Sequence, residues 1–204
     1  MSGATDQLQL DPVNTALLVM DYQVAIVERL PERQALLERA KQAIAAVREH
    51  GGHIGWVRVG FDDSEFDAIP ATSAMARMIT PDRRTQFHAD APSTQIQRDL
   101  DPRPQDITVR KTRVGAFTTT DLGPQLRART VSTLLLAGIS TGGVVLSTVR
   151  EAMDRDFQIV VVKDACADPD PDTHAFLMNT IFPRHTTVLH TADLSTIWRT
   201  GTSS

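Results

Sequence analysis

Short uninterrupted apolar segments alternate along the chain with longer segments whose apolar residues recur at helical spacing. Segment 15–20 (TALLVM) is of the first kind, which is typical of a strand buried on both faces of a sheet. Segment 35–49 is of the second kind, and it stops before the helix-ending Gly51 and Gly52. The predicted strands span residues 15–20, 53–59, 107–110, 133–137, 157–162 and 186–190. The predicted helices span residues 35–49, 140–155 and 171–181, with a short tail helix after the last strand.

This alternation predicts an α/β fold in three layers, with a six-stranded parallel sheet between helices on both faces. The 204 residues show no internal repeat and no low-complexity linker, so we expect one domain over residues 1–204. Residues 61–104 interrupt the pattern with five prolines and few apolar positions. A segment of that length is either a functional loop or lid, or a surface excursion with a short helix.

Composition narrows the possible classes of protein. The net charge of −4, with no basic stripe, argues against a nucleic-acid partner. No run approaches 18 apolar residues, and the N-terminus lacks the pattern of a signal peptide, so we expect no membrane association. Cys166 is the only cysteine, which excludes an intrachain disulfide and a thiolate zinc cluster. These features fit a reducing, cytoplasmic location.

Ligands of an open parallel sheet bind beyond the carboxyl ends of its strands. Polar residues follow four of the predicted strands, and the fifth strand is followed by Asp164-Ala165-Cys166. Asp21 follows the first strand, as either a general acid or base or the N-cap of a helix. Lys111 ends the third, where it either orients a substrate and holds a carboxylate charged or belongs to a solvated cationic loop. Arg113 is placed to grip a carboxylate or to face solvent.

The turn 138–143 follows the fourth strand, and its backbone N–H groups are placed to bind an anion or simply to form a tight connection. Its glycine spacing matches neither a dinucleotide fingerprint nor a phosphate-binding loop with its lysine, so no cofactor is expected. The histidines are scattered without metal-ligand spacing, so no metal is expected either. No histidine base is evident for Ser140, which argues against a serine nucleophile.

The chain resembles the isochorismatase-like hydrolase superfamily from about residue 11 to residue 190. The segments that carry the resemblance are ALLVMDYQ (16–23), VRKTRVGAFTTTDL (109–122), the stretch 134–168 around LLLAGISTGG, and TVLHTADL (187–194). The resemblance implies a six-stranded parallel sheet of Rossmann-like order with the active site at its strand ends. It also implies a small-molecule substrate and a homo-oligomer, a dimer or higher.

Cysteine hydrolases of this superfamily use an Asp–Lys–Cys triad, which corresponds here to Asp21, Lys111 and Val144. The nucleophilic Cys is therefore missing, and a thioester intermediate is not expected. Isochorismatases proper also lack this Cys. Their Asp protonates an enol-ether carbon, and water completes the hydrolysis of the vinyl ether. Segment 111–117 (KTRVGAF) is similar to their K-W-R-Y-S-A-F, although Thr112 and Val114 replace two aromatic residues.

The resemblance also implies a non-proline cis peptide between Ile139 and Ser140, with backbone donors at Ser140 and Val144. Gln23 and Phe117 correspond to residues that position the Asp and line the pocket. The metal motif D-x-H of nicotinamidases is absent, since residues 60–63 contain no histidine.

Two functions follow as hypotheses. The first is a hydrolase that uses Asp21 as acid or base and Lys111 as its electrostatic partner, acting on a vinyl ether or a related C–O or C–N bond without a covalent step. The second is a catalytically silent protein of the same fold that binds a small molecule through Lys111 and Arg113. In a third interpretation Cys166 supplies the missing thiol. The alternative is that Cys166 is simply a small buried residue at a strand end.

Overall fold

A computed structural model describes residues 8–199 of the chain. The predicted domain 1–204 also includes residues 1–7 and 200–204, which lie outside the described residues. The N-terminus that lacks the pattern of a signal peptide begins in the first of these two segments. The strands are β1 Thr15–Met20, β2 His53–Val59, β3 Ile107–Lys111, β4 Thr133–Ile139, β5 Gln158–Ala167 and β6 Thr187–Leu189. The α-helices are α1 Val24–Val27, α2 Arg33–Glu49, α3 Asp63–Asp67, α4 Ala74–Met78, α5 Arg84–Phe87, α6 Leu122–Ala128, α7 Leu146–Met153 and α8 Pro171–Phe176.

All six strands pair in parallel, in the order β3-β2-β1-β4-β5-β6. The predicted parallel α/β fold of Rossmann-like order is therefore confirmed. The order reverses between β1 and β4, and such a switch point opens a crevice at the carboxyl ends of the strands. The residues that follow β1 and β4 consequently border one crevice.

Alternate side chains of β1 enter different cores, as the strand period of two requires. Leu17 and Val19 pack on one face of the sheet with α2 and the C-terminal segment. Leu18 and Met20 pack on the other face with α6, α7 and the segment after α8. The two buried faces explain why β1 is a continuous apolar run rather than an alternating one.

The predicted boundaries fail at three places. Helix 140–155 does not start at Ser140: a turn of π-helix, Thr141–Val145, precedes α7. Its glycines favour a helix poorly, and the backbone N–H of Gly142 donates to the Asp168 carboxylate at 2.7 Å. Helix 171–181 likewise ends as an α-helix at Phe176 and continues as the π-helical turn Leu177–Ile181.

The third difference concerns β5, which runs through Asp164 and ends at Ala167 instead of stopping at residue 162. The pairing with β4 shifts register between Leu136 and Gly138, so the strand resumes beside Gly138 at Cys166. Asp164 is tolerated inside the strand because its carboxylate accepts hydrogen bonds from the backbone N–H and hydroxyl of Thr191, each at 2.8 Å.

Residues 61–104 form three short helices, α3 to α5, with 3-10 turns between and after them. Four buried side chains of this segment, Phe61, Phe66, Met75 and Ile79, form an apolar cluster of their own. One of the two alternatives for this segment was a surface excursion with one short helix. The three helices and the buried cluster show more structure than that alternative predicts.

Candidate functional site

Asp21 stands directly after β1, at the switch point of the sheet. Its φ of 58° is in the left-handed region, which aspartate tolerates better than most residues. Its backbone N–H still donates to Val57 of β2 at 2.8 Å, so the strand pairing fixes the residue although its backbone turns away. The N-cap of α1 is Gln23, so Asp21 does not have the capping role that was its alternative.

The Asp21 carboxylate and the Lys111 ammonium form a buried ion pair. Lys111 Nζ donates to Asp21 Oδ2 at 2.9 Å and to the Arg113 carbonyl at 3.3 Å. Asp21 is only 6 % exposed and Lys111 only 2 %. Because removing a charge from water costs free energy, charged side chains are buried to this extent only when they are paired. Asp21 Oδ1 is also buried but has no hydrogen-bond partner among residues 8–199. One oxygen of the carboxyl group is thus held by the protein, while the other has none of its hydrogen-bonding capacity used.

Burial raises the pKa of Asp21 above its ordinary value, and the charge and hydrogen bond of Lys111 oppose the rise. The carboxyl group therefore remains protonated to a higher pH than an exposed aspartic acid does. A carboxyl group in this state is suited to give a proton to a ligand and take one back.

Removing the lysine is expected to destabilise the fold in a pH-dependent way. In Lys111→Met the carboxylate loses its partner, so the free energy of unfolding should fall by about 3 kcal/mol near neutral pH. The pKa of Asp21 in the folded state rises further, so the lost stability should return as the pH falls and the carboxyl group becomes protonated. Urea unfolding of wild type and Lys111→Met across pH 4 to 8 measures the effect.

The double variant Asp21→Asn/Lys111→Met is the control, because it has neither charge in the buried site. Its stability should exceed that of Lys111→Met at neutral pH and should change less with pH. An equal loss in both variants, independent of pH, would show that the lysine stabilises by packing alone.

The turn after β4 forms the opposite side of the site. The peptide bond between Ile139 and Ser140 is cis, as the resemblance implies. A Cβ at Gly143 would lie 2.7 Å from Ser140 Oγ, so glycine allows the two to pack closely. The Thr141 hydroxyl shares a hydrogen bond with Nδ1 of His174 in α8 at 2.8 Å, which connects the turn to that helix.

Val144 stands in this turn, six residues after Gly138, and is 2 % exposed. Its side chain borders the same cavity as Asp21, Lys111, Ile139 and Ser140. The structure therefore brings together six of the eight predicted site residues, since Arg113 borders this cavity as well.

Gln23 and Phe117 are the two that lie elsewhere. The Gln23 amide bridges β2 and residues 61–104: it accepts from Val59 N–H and donates to the carbonyls of Val59 and Thr94, each at 2.8 Å. Phe117 packs in the core against Phe157, with Arg155 over its ring. Neither side chain borders the cavity, because that of Gln23 is bonded to backbone groups and that of Phe117 is packed in the core. Gln23 instead fixes how residues 61–104 pack against the sheet.

Cys166 lies in β5 beside Gly138, buried in the core. Its thiol is 3.7 Å from the Leu136 carbonyl, and burial raises its pKa to about 12. A thiol in that state is a poor nucleophile. Cys166 also does not border the cavity, so its position does not replace the thiol missing at Val144.

The cavity has a volume of about 540 Å³ and is closed on one side by residues 61–104. Met75, Met78, Ile79, Arg83 and Phe87 come from that segment. None of these five residues is among the eight site residues predicted from sequence. The signal for a shared helical face was present, since Met75, Met78 and Ile79 recur at i, i+3 and i+4.

Across the described part of the chain, no three or more His, Cys, Asp or Glu side chains are grouped to hold a metal ion. None of the helices between residues 8 and 199 is both long and apolar enough to cross a lipid bilayer.

Comparison with known proteins places this site in a family. The model of the isochorismatase domain matches residues 15–193, which include Asp21, Lys111 and the turn after β4. The chain belongs to the isochorismatase family. It is 32 % identical to YwoC, an isochorismatase family protein of Bacillus subtilis, over 87 % of this chain and 90 % of that relative.

Other family relatives agree in sequence and in structure. Ureidoacrylate amidohydrolase RutB of Cronobacter turicensis is 29 % identical over 81 % of this chain and 80 % of that enzyme. An isochorismatase family protein of Burkholderia thailandensis superposes with a TM-score of 0.81 at 28 % identity, covering 93 % of this chain and 97 % of that one. At the level of the family, the chain is therefore of the hydrolase type.

Proposed function

We propose that the protein hydrolyses a small molecule by acid–base catalysis at Asp21, without a covalent enzyme intermediate. The observation that carries the proposal is a buried carboxyl group at the wall of a cavity, with one oxygen held by Lys111 and the other without a hydrogen-bond partner among residues 8–199. The valine at position 144 supports the second half of the proposal, because it cannot form a thioester.

The chemistry fits cleavage of a vinyl ether. The protonated Asp21 gives its proton to the carbon of the enol ether, which leaves a positive charge on the neighbouring carbon and oxygen. Water adds to that carbon and loses a proton to the Asp21 carboxylate, and the resulting hemiketal breaks down to a carbonyl compound and an alcohol. Lys111 stabilises the carboxylate between the two proton transfers.

A C–N bond is the second bond class to test. RutB is named for amide hydrolysis, and it is similar to this chain over most of its length. In this chain an amide would have to be attacked by water activated by the Asp21 carboxylate, since Val144 offers no nucleophile.

A silent binding protein is the alternative that Val144 specifically favours. It predicts a ligand that binds at the cavity and is never consumed. Turnover of any bound compound that depends on Asp21 excludes this alternative.

Screening vinyl ethers and amides for turnover, followed by a pH–rate profile, tests the proposal. For a vinyl ether, kcat should fall as the pH rises through the raised pKa of Asp21, because the protonated carboxyl group is the catalyst. A kcat that rises over the same range would show that the carboxylate acts as a base instead. Absence of turnover throughout the screen, with ligands that bind, would favour the silent binding protein.

A further inference from the structure

The cavity is cationic although the protein is acidic overall. Arg29, Arg83, Lys111 and Arg113 border it, against the single carboxyl group of Asp21. The three arginines come from separate parts of the chain: the segment after α1, residues 61–104, and the loop after β3. The whole chain carries a net charge of −4, so this concentration of positive charge does not follow from composition.

Lys111 forms an ion pair with Asp21, whereas the three arginines form no ion pair within residues 8–199. Within residues 8–199, the guanidinium groups of Arg29, Arg83 and Arg113 have no carboxylate oxygen within 4.0 Å. Arg84, directly after Arg83, does pair, with Asp67 at 2.9 Å. Three cations at one cavity therefore lack an anionic partner within the described part of the chain.

Two of these guanidinium groups are held in place by neutral contacts. Arg83 Nη1 donates to the Met78 carbonyl at 2.8 Å, and its guanidinium carbon lies 5.1 Å from the centre of the Phe87 ring. Arg113 Nη1 donates to the Thr112 carbonyl at 2.6 Å. A guanidinium group has five N–H donors, so both retain donors for an oxyanion in a preset orientation.

The rest of the wall beside them is apolar. Met75, Met78, Ile79 and Phe87 line the side formed by residues 61–104, and Ile26 lines another. Such a wall gains free energy by covering an apolar surface, and it offers a polar group few partners. The ligand that satisfies both features has an apolar body and an oxyanion.

We infer that the cavity selects small amphipathic anions, with the apolar body against residues 61–104 and the oxyanion on Arg83 and Arg113. The inference rests on the proposed function in taking this cavity as the substrate site. Asp21 is buried, whereas Arg83 and Arg113 are partly exposed. The Asp21 carboxylate repels an anion placed beside it, so we expect the oxyanion on the arginines and the bond to be cleaved beside Asp21 to belong to different ends of the ligand.

A series of probes with one ring system tests the selectivity without requiring turnover. The probes are 2-naphthoate, 2-naphthalenesulfonate, 2-naphthyl phosphate and the neutral 2-naphthamide, with affinities measured by calorimetry. At least one anion should bind wild type about tenfold more tightly than the amide does. The most tightly bound anion then identifies the oxyanion as carboxylate, sulfonate or phosphate.

Arginine variants locate the effect. Arg83→Gln and Arg113→Gln should each lower the ratio of anion to amide affinity by about three- to tenfold. Arg77→Gln is the matched control, because Arg77 is exposed in the same segment and does not border the cavity, and its ratio should equal that of wild type. Because the ratio compares two ligands on one variant, a general loss of folded protein does not change it.

The inference is overturned if the amide binds as tightly as every anion, if no probe binds, or if Arg77→Gln lowers the ratio as much as the cavity variants do. These outcomes are separate from failure of the proposed function. Selective binding of anions without any turnover would contradict the hydrolase and support the inference. Turnover of neutral compounds without selectivity for anions would do the reverse.

Discussion

Asp21→Asn is expected to lower kcat by about 10²- to 10⁴-fold on any substrate that the wild-type protein hydrolyses. The amide is nearly the size of the carboxyl group but cannot exchange a proton with the substrate. The expected loss is in kcat, because the apolar wall and the arginines that hold the ligand remain. Steady-state kinetics of wild type and variant on one substrate measure it.

This variant leaves the Lys111 ammonium buried without its carboxylate, so its folded fraction must be measured by circular dichroism on the same samples. The double variant Asp21→Asn/Lys111→Met removes both charges and is expected to fold better and remain as inactive. A folded Asp21→Asn with the kcat of wild type would refute the role given to Asp21.

Val144→Cys is expected to create a thiol that iodoacetamide modifies in the native protein. Val144 borders the cavity, so a thiol there is open to a small reagent. Wild type should not react, because Cys166 is buried and its pKa is raised to about 12. Mass spectrometry of the labelled, intact protein counts the modified thiols over time.

Val145→Cys is the matched control for this labelling, one residue further along the same turn. Val145 is fully buried, packs near Gly138 and does not border the cavity. Its thiol should react about a hundredfold more slowly, because the structure must open first. Equal rates for the two variants would contradict the placement of Val144 at the wall of the cavity.

Much of this site was predictable from sequence because it depends on strand ends. Asp21 follows the apolar β1 and Lys111 is the last residue of β3, and parallel strands bring their carboxyl ends to one edge of the sheet. Their separation of 90 positions in the chain therefore does not prevent the 2.9 Å contact. The same logic located the turn around Ser140 and Val144.

The remaining wall depends on packing between distant segments, because a local pattern such as the helical spacing of Met75 and Met78 does not say which surface that helical face covers. Met75, Met78 and Arg83 reach the cavity because the Gln23 side chain ties residues 61–104 to β2. Its amide forms hydrogen bonds with backbone groups of both segments. Phe117 follows Lys111 closely in sequence, yet the loop turns its ring into the core against Phe157. Residue type and spacing are compatible with either side of that loop, so only the structure distinguishes them.

Hydrolysis that depends on Asp21 and forms no covalent intermediate is tested most directly by intact-protein mass spectrometry of samples quenched during turnover. Wild type should form product while its own mass stays that of the unmodified chain, and Asp21→Asn should form about 100-fold less product or none. A transient increase in the mass of the wild-type protein by a fragment of the substrate, or equal product from both proteins, would contradict the account.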